Sequence, residues 1–194
     1  MKSKASLLIF GAIMIVGFFT GCDMFNGSVT SQERPLEGFN GITLSGAGDV
    51  NVHPGNNFKV IVTTNDNIQD KVVTSVNDNT LRITERSGLF NASELTIDVY
   101  MPELKRISLS GAGNIKIHTG YTSDFEFSLS GAGNIDARNF RVQNATIRHS
   151  GVGNARIWAT NALNGSHSGV GNILYKGSPA INVKRSGVGN IKPL

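Results

Sequence analysis

The feature that most constrains this chain is a pentapeptide that occurs six times: Ser, Gly, a small apolar residue, Gly, then Asn or Asp. Ala is central in the copies Ser45 to Asp49, Ser110 to Asn114 and Ser130 to Asn134; Val replaces it in Ser150 to Asn154, Ser168 to Asn172 and Ser186 to Asn190. From the second copy onward the motif serines are 20, 20, 18 and 18 residues apart. A unit this short cannot bury an apolar face alone, so it must stack on its neighbours, one unit per turn of a coil. Glycine reaches positive φ without penalty, which suits a sharp corner, and the small residue between the two glycines is expected to point inward. The gap of 65 residues between the first two copies has room for about three turns that have lost the motif. The expected fold is therefore all-β, a parallel β-helix-like solenoid of about seven rungs.

The residues between motifs carry the matching alternation. One and three positions after the motif Asn stand Ile115 and Ile117, Ile135 and Ala137, Ala155 and Ile157, Ile173 and Tyr175. Position two reads Lys116, Asp136, Arg156 and Leu174. Five and three residues before the motif Ser are Phe125 and Phe127, Ala145 and Ile147, Leu163 and Gly165, Ile181 and Val183, with polar residues between. Period-two alternation of this kind places one set of side chains in a central stack, with neighbouring rungs about 4.8 Å apart. About seven rungs then make a prism roughly 35 Å long. The motif asparagines fall into a column in which side-chain amides can hydrogen-bond from rung to rung. Further upstream, Lys59 to Thr63, Thr80 to Thr84 and Leu95 to Met101 read as strands, with Pro102 stopping the last. A loop is expected over Ser87 to Ser93. No window has a helical period, so no long helix is expected after the N-terminal segment.

The N-terminus is a separate unit. Lys2 and Lys4 precede an apolar run from Leu7 to Phe19 and then Thr20-Gly21-Cys22. A basic start, a short apolar core and small residues before a cut form a secretory signal, and 13 apolar residues fall short of a membrane span. The tetrad from Phe19 to Cys22 resembles a bacterial lipobox, which implies acylation of Cys22, the one cysteine of the chain. Two or more acyl chains hold a protein stably at a membrane. The expected organisation is a lipoprotein signal peptide over residues 1–21, a polar tether over 22–35 and the β-domain over 36–194. Without the signal peptide the charge falls to about +2 from the +4 of the whole chain, too weak a field to point to nucleic acid.

The serial Ser-Gly-Ala/Val-Gly-Asn units, the Pro102-Glu103-Leu104 entry and the export signal resemble the auto-transporter adhesin head GIN domain family, over roughly Phe39 to Pro193. The resemblance implies a parallel β-helix-like solenoid at the cell envelope. This chain has no run of alternating strands large enough for a translocator barrel, so anchoring through Cys22 would take its place.

One column carries side chains with binding chemistry. The residue before each motif Ser is Leu44, Leu109 and Leu129 in the early copies, then His149, His167 and Arg185 in the late ones. Stacked about 5 Å apart, the last three form a basic ladder. It could contact an anion or acidic sugar, or hold a metal between His149 and His167. Alternatively it is a corner from which polar side chains swing to solvent. The histidines are expected to be neutral at pH 7, because like charges in a column repel. The acids Asp98, Glu103, Asp124, Glu126 and Asp136 share no common position, and no histidine pair has zinc-site spacing, so no catalytic residue, cofactor or metal is assigned. The expected role is a non-enzymatic, adhesin-like binding module anchored to the envelope, with a glycan or a surface protein as its ligand. A carbohydrate-active enzyme, which needs two acids converging on one groove, and a purely structural spacer are the alternatives.

Overall fold

The computed structural model describes residues 27–86 and 95–194. The signal peptide, Cys22 and the Ser87 to Ser93 loop lie outside the described residues. The strands in chain order are β1 (Val29–Arg34), β2 (Gly41–Leu44), β3 (Ala47–Pro54), β4 (Lys59–Asn65), β5 (Val72–Asn77), β6 (Thr80–Glu85), β7 (Thr96–Met101) and β8 (Arg106–Leu109). They continue with β9 (Ala112–Ile117), β10 (Gly120–Leu129), β11 (Ala132–His149), β12 (Ala155–His167), β13 (Ile173–Lys176), β14 (Ala180–Arg185) and β15 (Ile191–Pro193). One short 3-10 helix, Asp66–Lys71, links β4 to β5. All of these strands join one sheet. The first part of β11 pairs with β9 and its last part with β10, so the sheet turns back on itself into a nearly closed, barrel-like form.

Successive motif copies lie against one another in parallel and in register. Ala47 pairs with Ala112 and Ala112 with Ala132, and isolated bridges join Ala132, Val152, Val170 and Val188. The inward columns follow the alternation of the sequence. Val50, Ile115, Ile135, Ala155 and Ile173 make one; Leu44, Leu109 and Leu129 belong to another; all eight are buried. Phe125, Phe127 and Phe140 are among the largest buried side chains, and Phe125 meets the other two rings edge-on. In β14, Ile181 is exposed and Val183 half-buried, since among the described residues no strand lies on the far side of that layer.

Three expectations need correction. The 65-residue gap does not hold about three turns between the first two motif copies, because those copies are direct neighbours. The intervening chain goes to the other side of the first copy: β6 pairs in parallel with β2, β7 with β3, and β4 and β5 run antiparallel to β7 and β6. The tether expected over residues 22–35 gives way to strand at Val29, where β1 pairs antiparallel with β4. β1 is almost wholly exposed, so backbone hydrogen bonds hold it without the apolar pattern that marks a core strand. The central residue of the motif points outward; Val152, Val170 and Val188 are 57%, 50% and 71% exposed. The glycines, not the residue between them, carry the close approach of one layer to the next.

Candidate functional site

The asparagine column is a continuous hydrogen-bonded ladder. Asn134 Nδ2 donates to Asn114 Oδ1 at 2.9 Å, Asn154 to Asn134 at 3.4 Å and Asn172 to Asn154 at 3.2 Å. Each of these oxygens also accepts the backbone N–H of the next Asn. Asn190 N–H donates to Asn172 Oδ1 in the same way. The column begins at Asp49, whose Oδ1 accepts both donors of Asn114 at 3.0 Å. A carboxylate suits that place, since an ionised Asp only accepts. From Asp49 to Asn172 each Oδ1 accepts from the next residue of the column, so the column holds layers in register.

The column His149, His167 and Arg185 does not turn to solvent as a whole. His149 and His167 are buried, at 1% and 0% exposure, and only Arg185 is exposed. Their position continues the inward column of Leu109 and Leu129. Positions five and three before the motif Ser face inward, so position one does too, a parity already present in the sequence. The two rings meet Nδ1 to Nδ1 at 2.7 Å, and His149 Nε2 lies 2.9 Å from the Gly153 carbonyl oxygen. The carbonyl accepts, so His149 Nε2 carries the proton, His149 Nδ1 accepts and His167 Nδ1–H donates. Burial pushes His149 below the ordinary imidazole value, and the neighbouring His167 adds to this against the Gly153 carbonyl. A separation of 2.7 Å is that of one shared proton; two metal-bound nitrogens, each about 2.0–2.1 Å from the ion, stand farther apart in a tetrahedral site. Arg185 repeats the His149 contact, with Nη1 donating to the Gly189 carbonyl at 2.9 Å.

The acids that looked scattered in sequence do partly converge. Glu103, Asp124 and Glu126 line an open groove of about 410 Å³ with Lys105, Arg106 and Asn144. Glu126 is held by Arg106 at 2.8 Å and Glu103 by Lys105 at 2.9 Å, and all four of these side chains are more than half exposed. Asp124 accepts from Asn144 at 3.1 Å. A general acid needs a carboxyl kept protonated by burial or by a like charge. Here Glu103 and Glu126 are exposed and ion-paired and Asp124 is bonded to an amide, so the groove presents charged and amide groups for polar contacts.

Residues 38–121 and 110–179 match a family model described as "Putative auto-transporter adhesin, head GIN domain". The chain belongs to this family. No curated protein sequence matches it. Among solved structures, a "putative adhesin" from Bacteroides fragilis is similar at 24% identity and a TM-score of 0.57, covering 86% of this chain and 97% of that one. A "putative lipid binding protein" from Parabacteroides distasonis overlays at 20% identity and a TM-score of 0.47, over 88% and 98% of the two chains. A "putative cell adhesion protein" from Clostridium sporogenes does so at 16% and 0.45, over 86% and 99%. The first of these shares the fold of this head GIN domain.

This head GIN domain carries one more cluster that reading the sequence missed. His53 stacks between Tyr100 and His118, with ring centroids 4.5 Å and 4.3 Å away. His53 Nε2 lies 3.2 Å from Asp98 Oδ1, which also accepts from Asn51. His118 is held below its ordinary pKa by burial and then by His53 and Lys116, with Asp98 opposing. The three rings come from β7, β3 and the end of β9, and 65 residues separate the two histidines. Only knowledge that the first two motif copies are neighbours brings them together. Among the described residues no group of three or more His, Cys, Asp or Glu is placed to hold a metal ion.

Proposed function

We propose that this protein is an exported envelope lipoprotein, anchored through Cys22, whose β-domain is a rigid, non-enzymatic binding module. The domain reads as a parallel solenoid of seven rungs. In spatial order these are residues 80–85 with 96–101, then 41–54, 106–117, 120–137, 140–157, 162–175 and 180–193. In-register pairing of like residues 18 or 20 apart supports this architecture. The observation that carries the binding role is the family match, which spans most of the β-domain and describes an adhesin head. The exposed, ion-paired acids of the groove favour binding over catalysis. The surface or envelope location follows from the same family and from the N-terminal signal.

Two measurements test this. Cys22→Ser should move the protein from the membrane fraction to the soluble exported fraction, and a chain that stays with the membrane would rule out the lipid anchor. The full-length Cys22→Ser chain applied to a glycan array and to intact envelopes should bind saturably without altering its ligand. Turnover of a bound glycan would replace the module by the enzyme.

A further inference from the structure

We propose that the outward column Tyr121, Arg141, Trp158 and Lys176 binds an anionic polysaccharide laid along the stack of layers. The inference deepens the binding-module reading and rests on it. The four residues come from β10, β11, β12 and β13 and pair in direct register, Tyr121 with Arg141, Arg141 with Trp158 and Trp158 with Lys176. Successive members therefore stand about 4.8 Å apart, and ring alternates with cation along the line. Tyr121 is 55% exposed and Arg141 and Lys176 are exposed. Neither Arg141 nor Lys176 has a carboxylate ion-pair partner among the described residues. The Lys176 ammonium lies 3.8 Å from the centre of the Trp158 ring, which holds it on the column by cation–π attraction. The spacing hides this column from a search for sequence clusters, because its members are 20, 17 and 18 residues apart.

A second, independent feature selects the sign of the ligand. All 14 Asp and Glu residues lie at or before Asp136; residues 137–194 hold eight Lys and Arg and no acid. The modest net charge of the whole chain conceals a domain that is strongly basic at one end. Such a field concentrates polyanions at that end. Beside the column runs an amide ladder in which Asn161 donates to Asn144 at 2.7 Å and Asn144 to Asp124 at 3.1 Å. Amides of this kind match sugar hydroxyls, and the aromatic rings match the C–H faces of pyranoses. The envelope location on which this inference rests favours a polysaccharide over a single-stranded nucleic acid, whose bases would use the same rings.

The test uses the full-length Cys22→Ser chain with polygalacturonate as probe, read through Trp158, the one tryptophan of the sequence. Polygalacturonate should shift its emission saturably, neutral dextran should not, and the apparent affinity should fall as salt rises. The Arg141→Gln/Lys176→Gln double variant and Tyr121→Ala should each weaken binding at least tenfold while melting as the parent does. Binding that survives both variants unchanged, or an unresponsive Trp158, overturns the proposal. So does tighter binding to phosphatidylglycerol vesicles or to oligo(dT) than to polygalacturonate. An array ligand that ignores these variants would leave the module reading standing and remove this column from it. Failure to bind any glycan or envelope would remove both.

Discussion

At Gly133 the backbone φ is +143°, and a Cβ would lie 1.7 Å from the Gly113 carbonyl oxygen. At Gly131 φ is not in the left-handed region, yet a Cβ would lie 1.9 Å from the Gly111 carbonyl oxygen. One glycine is thus required by conformation and contact, the other by contact alone. Gly133→Ala and Gly131→Ala should each lower stability by about 1–3 kcal/mol, the first through strain and overpacking, the second through overpacking. Chemical denaturation measures both, and an unmoved midpoint would refute the close approach. The buried histidines make a second residue-scale prediction. The folded pKa of His149 is depressed from 6.5 by burial, so below that pH the unfolded chain binds more protons than the folded one. Stability held at neutral pH is then lost as pH falls from about 6.5 towards the folded value. His118 is shifted the same way and adds to the trend. His149→Leu alone leaves His167 Nδ1 unpaired and should cost about 1–3 kcal/mol. His149→Leu with His167→Leu extends the leucine column, so it should recover that loss and flatten the pH dependence of the melting temperature.

Within each layer, what a strand buries is set by parity on either side of the motif. That parity was legible: Ile115 and Ile117, Ile135 and Ala137, and Phe125 and Phe127 all face inward as their alternation requires. It stopped short at His149 and His167, where polar residue type argued for solvent against a position that argued for the core. The asparagine ladder was legible too, because identical side chains at a constant spacing have nowhere else to go. Its energetic role is testable at Asn134, whose Oδ1 satisfies both the backbone and side-chain N–H of Asn154. Asn134→Ala should cost about 1–3 kcal/mol through the orphaned N–H of Asn154, measured by thermal unfolding. No loss there would mean that water serves the amide equally well and that the ladder is incidental.

Across the whole molecule the first motif copy lies inside the stack, between β6–β7 on one side and β8–β9 on the other. Ile42 is fully buried between Leu81 and Ile107, so Ile42→Ala should cost about 2–5 kcal/mol although it lies near the start of the domain. A solvent-like cost of a few tenths would return β2 to an edge. Contacts between residues 65 apart also raise the contact order, and refolding should take milliseconds to seconds or longer in a stopped-flow experiment. The sequence by itself determined the repeat, the inward columns, the amide ladder and the kinship, since each follows from residue type at a short, constant spacing that leaves the chain no slack. Tertiary structure alone decided where the irregular 65 residues go, because their pairing depends on which apolar faces remain uncovered once the layers meet. It alone also brought His53 beside His118, gathered three acids into one groove, and set Tyr121, Arg141, Trp158 and Lys176 in one line.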